Sequence, residues 1–315
     1  MVKQVVKSMW KPLKLAPWLI AATASWSLGF IYNVYYGGEI SWLSRMYREK
    51  IALAAEIRSP HRLLIVGGSG AHNSHDSARI EQGLGIPVMN LGLDGPVGLN
   101  VILPSDLVAV RPGDIVLLVP EDLILTDEDG LLERSAPFGI ATGRPGLGDV
   151  PPKQLTQNFW LLGVPTLKAL TKSALDLLEK GRMTGYYSDP ITQRGDPTVT
   201  KHRKGKWWKW TISRPISPHA IARIQQFRQE VEAKGGKLVM SLPWVYASTE
   251  PETIANMKKT AEELAKIAPL VAYDNLYNLK TDSHLFADTH HHLVPEARVL
   301  RAKQLVEGLK KEKLW

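Results

Sequence analysis

The chain has 315 residues, 44% of them hydrophobic and 22% charged, a globular balance that excludes disordered, collagen-like and coiled-coil chains and suffices for one large or two small domains. It has no cysteine, which removes disulfide frameworks, thiolate metal centres and cysteine nucleophiles. The net charge is +8, but four lysines in residues 1–14, six Lys and Arg in residues 201–214 and a basic excess in residues 298–315 leave the body of the chain net acidic, which argues against a nucleic-acid partner.

Lys3, Lys7, Lys11 and Lys14 precede an uncharged run from Leu15 to Gly38. About 24 residues at a rise of about 1.5 Å cross a hydrocarbon core of about 30 Å as one helix. Trp10 and Trp18 toward one end, and Tyr32, Tyr35 and Tyr36 toward the other, fall where headgroups would lie. The preceding lysines predict an inside N-terminus, hence a single-pass cell-membrane protein with the remainder outside the cytoplasm. A buried core helix is one alternative, because Thr23, Ser25, Ser27 and Asn33 dilute the hydrophobicity. A cleaved signal peptide ending near Ala21, Ala22 and Ala24 is another, although the apolar run continues past those alanines and favours an uncleaved anchor. Residues 1–38 are thus a basic stub and anchor. Residues 39–60 form a linker, with Ile40, Leu43, Met46, Ile51, Leu53, Ala54 and Ile57 at mostly helical spacing over Glu39–Arg58.

From residue 61 to 315 the pattern is α/β. Short apolar runs at Arg62–Val66, Pro87–Leu91, Asp114–Val119, Lys237–Leu242 and Leu270–Tyr273 alternate with helical stretches at Asp76–Leu84, Leu99–Val110, Ser217–Ala233, Pro251–Ile267 and Pro295–Lys311. That alternation predicts a three-layer domain, a parallel sheet flanked by helices. Ser217-Pro218 and Glu250-Pro251 are helix starts, and Gly235-Gly236 is a stop. An insertion at about 120–216 interrupts the pattern. It holds a helical stretch, Leu155–Lys180, and a loop ending in Lys201–Trp210, KHRKGKWWKW. Basic residues interleaved with tryptophans suit stacking on sugars or bases, a membrane interface, or packing on the domain itself.

The first strand runs into Gly67-Gly68-Ser69-Gly70-Ala71-His72-Asn73. A serine at the carboxyl end of a parallel strand, between glycines and leading into a helix, presents its hydroxyl in the crevice where α/β proteins bind ligands, and its N–H would face a developing oxyanion. The dinucleotide fingerprint, the Walker loop and the nucleophile elbow all fail here, the last because Ala71 occupies its closing glycine; a structural glycine turn is the alternative. Near the other end lies Phe286-Ala287-Asp288-Thr289-His290-His291-His292-Leu293-Val294-Pro295-Glu296. An acid and a histidine four residues apart, just before a helix that Pro295 starts, place a carboxylate where it orients an imidazole and so supply a base for Ser69. A metal site is the competing reading of the same cluster, weakened because adjacent histidines diverge.

GGSGAHNS after the first strand, IPVMNLGLDG at the second and FADTHHHLVPEA before the last helix together resemble the SGNH/GDSL hydrolase superfamily. They most resemble its membrane-anchored bacterial members linked to acylation of surface polysaccharides, the alginate O-acetyltransferase-like and teichoic-acid D-alanylation proteins. The resemblance covers about 62–119 and 237–311. It implies an SGNH/flavodoxin-like sheet, Ser69 as nucleophile, Asp288 as acid, and His292 or His291 as base, since D-x-x-H selects His291 and H-L-x-P-E selects His292. It implies an oxyanion hole from the N–H groups of Ser69 and of Gly92 or Gly95. It departs from the family where Gly68 stands in place of aspartate and where Pro120-Glu121-Asp122 replaces G-x-N. A carboxylate at Glu121 would repel an oxyanion unless protonated. Asn73, Glu121, Trp207 and Trp208 are candidate substrate contacts. The implied activity is a serine esterase or O-acyltransferase on acyl esters of a cell-surface polysaccharide, with no cofactor or metal and with a membrane-bound acyltransferase as a candidate partner. The alternatives are a catalytically weak accessory that binds polysaccharide or docks such an acyltransferase, and a free esterase for small substrates.

Overall fold

The computed structural model describes residues 2–126, 132–143, 160–183, 190–198 and 209–313. The chain divides into two compact units, Met1–Trp42 with Pro152–Ser188, and Leu43–Pro151 with Asp189–Trp315.

In the first unit, helix α1 (Val2–Ile31) continues through one wide turn, Tyr32–Tyr36, to Gly37. From Leu15 onward it is long and apolar enough to cross a bilayer, and Leu15, Trp18, Leu19, Ile20, Leu28 and Ile31 are exposed along it. Helix α2 (Glu39–Glu56) begins here and belongs from Leu43 onward to the second unit. Of the helical stretch expected over Leu155–Lys180, residues 155–159 lie outside the described residues, 160–162 are helical, and the helix is broken over 163–166. Thr166 caps its first turn by accepting a hydrogen bond from Ala169 N–H, and it runs Leu167–Lys180 until Gly181 adopts a left-handed conformation. Pro165, just ahead of that cap, has no N–H to continue a helix from upstream.

The second unit is a mixed α/β structure built on a four-stranded parallel sheet. Strands β1 (Leu63–Gly67), β2 (Val88–Asn90), β3 (Ile115–Val119) and β4 (Lys237–Met240) stand in the order β2-β1-β3-β4. Around them lie α3 (Ser69–Ser74), α4 (Ser77–Leu84), α5 (Leu99–Asp106), α6 (Asp122–Thr126), α7 (Leu132–Ala141), α9 (Pro218–Ala233), α10 (Pro251–Ile267) and α11 (Pro295–Lys311), α8 being the helix Leu167–Lys180. Leu63, Ile65, Ile115, Leu117 and Val239 join Ile80 and Leu84 of α4 and Ala302, Leu305 and Leu309 of α11 in one core layer. The alternate residues Leu64, Val66, Val116 and Leu118 face the opposite side and are also fully buried. There α5 packs on β1 and α9 on β4, so both faces are covered and the strands read as unbroken apolar runs. The expected fifth strand is a single bridge, Met240 to Leu270. An unforeseen short pair, β5 (Val245–Tyr246) and β6 (Leu279–Lys280), runs parallel beside the C-terminal loop.

A buried ion pair locks the entry to this sheet. Arg62 donates to Asp114 through Nε at 2.9 Å and Nη2 at 2.5 Å, and its other N–H groups reach the carbonyls of Ala54 and Ala109. Both side chains are about 1% exposed, so Asp114→Ala leaves a buried cation unpaired and is expected to cost about 3–5 kcal/mol. Urea unfolding of the wild type and the variant measures this loss.

Candidate active site

The site forms where β1 and β3 end. The two strands pair in register from Leu63 opposite Ile115 to Gly67 opposite Val119, so the residues after them, Ser69 and Glu121, emerge side by side. Gly68 is required there because a Cβ would strike Glu121 Oε2 and the Gly95 backbone. Within residues 62–75, Ser69 alone is not buried. Its Oγ donates to Glu121 Oε1 at 3.3 Å, and the Gly70 N–H donates to the same oxygen. Glu121 is fully buried. Burial raises its carboxyl pKa against the opposing pull of His291 and the Gly70 N–H, which favours the neutral acid.

The C-terminal loop closes over this point. Thr289 Oγ1 accepts the N–H groups of His291 at 3.2 Å and His292 at 3.1 Å, Ser74 Oγ donates to the His291 carbonyl, and Phe286 bridges Leu293. This tight turn sends the three histidines in different directions. His292 Nδ1 meets Asp288 Oδ1 at 2.8 Å. Its Nε2 lies 3.3 Å from Asn73 Nδ2, which also donates to the Ser69 carbonyl at 2.9 Å. With Nδ1–H given to the carboxylate and an amide donor facing Nε2, the lone pair sits on Nε2, the tautomer a general base needs. His291 turns instead to Asp122, with Nε2 to Oδ1 at 2.9 Å, and Asp122 Oδ2 accepts Trp210 Nε1–H at 2.7 Å. His290 lies against the rings of Trp210 and Tyr246, at 5.0 and 6.5 Å between centroids.

The D-x-x-H and H-L-x-P-E registers therefore have separate outcomes. The first delivers a histidine to Asp122 and the second a histidine to Asp288. Burial alone would lower the His291 pKa, but the hydrogen bond and charge of Asp122, with Glu121 beyond, outweigh it and raise it. Burial would likewise raise Asp122, yet His291 and Trp210 hold it below the usual carboxylate range.

Several expectations need correction. The Gly92 N–H donates to Asn90 Oδ1 at 2.9 Å and is not offered to the crevice. Gly92 is a glycine because a Cβ would overlap the Ala71–His72 backbone. The N–H that binds a carboxylate oxygen in the crevice is that of Gly70, and Gly95 lines the other side of Glu121, where an added Cβ would lie 2.9 Å from Oε2. Asn73 is buried, and its Nδ2 bridges the Ser69 carbonyl to His292 Nε2. Trp207 and Trp208 lie outside the described residues.

Trp210, Asp122 and Lys50 were not singled out from sequence. Lys50 is fully buried, with Nζ 2.6 Å from the Gly92 carbonyl and 2.9 Å from His72 Nδ1 beneath α3. Burial brings its pKa down to about 7 against the attraction of Asp196 and Asp106. Its signal was present, since it falls at the helical spacings of Leu43 and Met46 as a lone cation on the apolar face of the linker. A scan against protein-family models and a search of the curated proteins find no match for this chain.

The Asp122–His291 pair has a definite pH signature. A raised histidine pKa contributes fully below its ordinary 6.5 and fades as pH rises through the raised value; a lowered aspartate pKa contributes above 3.8 and fades in stronger acid. The stability difference between wild type and Asp122→Asn is therefore expected to be greatest between pH 3.8 and 6.5 and to shrink toward alkaline pH. Urea midpoints across pH check the window, and the His291 ring resonances in an NMR titration should move to lower pKa in the variant.

Proposed function

We propose that this chain is an extracytoplasmic, membrane-anchored protein of SGNH hydrolase type that acts on acyl esters of a cell-surface polysaccharide through an acyl-serine. The observation that carries the reading is Asp288–His292–Asn73–Ser69: a carboxylate fixes the imidazole tautomer, and the Nε2 lone pair meets the Asn73 amide that is itself bonded to the Ser69 carbonyl. Ser69 Oγ turns from Glu121 and attacks the acyl carbonyl carbon while His292 Nε2 takes its proton. The tetrahedral intermediate collapses, the C–O bond to the sugar breaks, and His292 returns the proton to the departing oxygen. A second hydroxyl, of water or of another sugar, then reverses these steps on the acyl-serine. The oxyanion is received by the Gly70 N–H and by Glu121 in its protonated form, a role that burial favours by keeping this carboxyl neutral. The exposed ring of Trp210, tethered to Asp122, offers a stacking face for a sugar at the mouth of the site.

A specific observation favours a second reading, a non-catalytic accessory that holds polysaccharide or docks a membrane acyltransferase. If Glu121 stays ionised, its Oε1 occupies the Gly70 N–H permanently and leaves no place for an oxyanion. A fluorophosphonate probe on the full chain in detergent separates the two. Under the first reading the wild type labels, Ser69→Ala does not, and His292→Ala labels about 100- to 10,000-fold more slowly. Glu121→Gln, which keeps the shape and removes the charge, should label at least as fast as wild type at neutral pH. A folded wild type that stays unlabelled supports the accessory. For topology, a reporter fused after Trp315 is expected to be active only outside the cytoplasm; activity inside would reverse the orientation.

A further inference from the structure

Helix α8 is amphipathic in the opposite sense to a helix that packs on a protein core. The side it buries within the first unit carries Ala169, Ser173 and Asp176, whereas Leu167, Leu170, Leu175, Leu177 and Leu178 are exposed, Leu167 at 80% and Leu178 at 84%. At about 100° per residue, these leucines fall on one continuous arc opposite Ala169 and Asp176. The segment leading into the helix adds Trp160, Leu161 and Val164, all exposed. Water does not favour such an arrangement, since each exposed leucine forgoes the stabilisation of burial.

The same element is fastened to the far end of the candidate membrane span. Tyr32 Oη and Ser173 Oγ share a hydrogen bond of 2.6 Å, and Asn33 Nδ2 donates to the Leu162 carbonyl at 3.1 Å. The backbones of Gly29 and Gly163 approach so closely that a Cβ on Gly29 would overlap the Gly163 carbonyl. Close approach through glycine and a shared hydroxyl bond are the means by which helices associate in lipid. Tyr32 and Asn33 stand where the apolar run gives way to Tyr35, Tyr36, Gly37 and Gly38, the level of the headgroups. At 14 residues α8 is too short to span. Lys168 borders its leucine arc, while Lys172 and Lys180 pair with Asp176 on the opposite side, so cations lie beside and above the apolar face as on a helix lying flat in an anionic interface.

We infer that α8, with the preceding Trp160–Val164 segment, is an interfacial element whose leucine face lies in the bilayer leaflet next to Tyr32, making a second membrane contact beside the span. The inference rests on reading 15–38 as that span, and it is independent of any chemistry at Ser69. Because the chain has no cysteine, single cysteines carry a polarity-sensitive fluorophore without background. The full chain, reconstituted in vesicles containing anionic lipid, is labelled at Leu28 as a reference for the span and, one at a time, at Leu167, Leu170, Leu178, Lys168 and Glu179. The expected result is a blue shift, with loss of fluorescence to lipids brominated in the upper acyl chain, at Leu28, Leu167, Leu170 and Leu178, and a smaller loss at Lys168 and Glu179. Quenching at Leu28 with none at the leucines of α8 overturns the inference and leaves the span standing. A blue shift at Leu178 without lipid quenching overturns it in favour of a protein or second-copy contact. No quenching at Leu28 refutes the span and the inference together.

Discussion

The register of β1 on β3 is the constraint on which the site depends. With Gly67 held opposite Val119, the chain leaves both strands at the same level, and Glu121 arrives against the first turn of α3 with no room for a side chain on Gly68. Consecutive residues then take opposite partners. Glu121 binds the Gly70 N–H and the Ser69 hydroxyl, while Asp122 turns to His291 and Trp210. A slip of one residue would carry one carboxylate into the other's place and bring Pro120 or Leu123 to the position it left, which is why a fully buried sheet with apolar residues on both faces matters at its edge.

Three carboxylates and two imidazoles meet within this small volume, and their surroundings push them apart in protonation. Asp122 has a histidine and an indole donor that lower its pKa, Glu121 has mainly burial and tends to the neutral form, and Asp122 raises the pKa of His291 between them. His292 takes the separate, half-exposed partner Asp288. The result is two acid–histidine pairs in adjacent registers of one loop. One leaves its Nε2 lone pair against the Asn73 amide; the other is a brace that ties the loop through Asp122 to Trp210 and the end of β3. A brace of this kind holds the histidine loop beside α3 without engaging His292.

The helix α2 and the candidate span also do more than connect. Lys50, carried on α2, reaches beneath α3 to the Gly92 carbonyl and His72, so α2 contributes a buried amine next to the serine-bearing helix. Within the first unit, glycine contact and a tyrosine–serine hydrogen bond attach α8 to the span end, and the leucines of α8 are left facing away. The physics is the same in both places: a group placed against its usual environment is held by a few short, specific contacts.

Local chemistry alone determined much of this protein. The strands at residues 62, 87, 114 and 237 followed from apolar runs, the helices at Pro218, Pro251 and Pro295 from their caps, the candidate span from its length, and the Asp288–His292 pairing from a spacing that a single tight turn closes. Those features depend on neighbours within a few residues, which a sequence displays directly. What only the tertiary structure decided were contacts between distant segments. They include Glu121 on Gly70, Asp122 between His291 and Trp210, the withdrawal of the Gly92 N–H by Asn90, Lys50 under α3, and the outward face of α8. A carboxylate, an amide or a leucine carries the same local pattern whichever partner it meets, so its role appears only once strand register and packing have set what stands opposite.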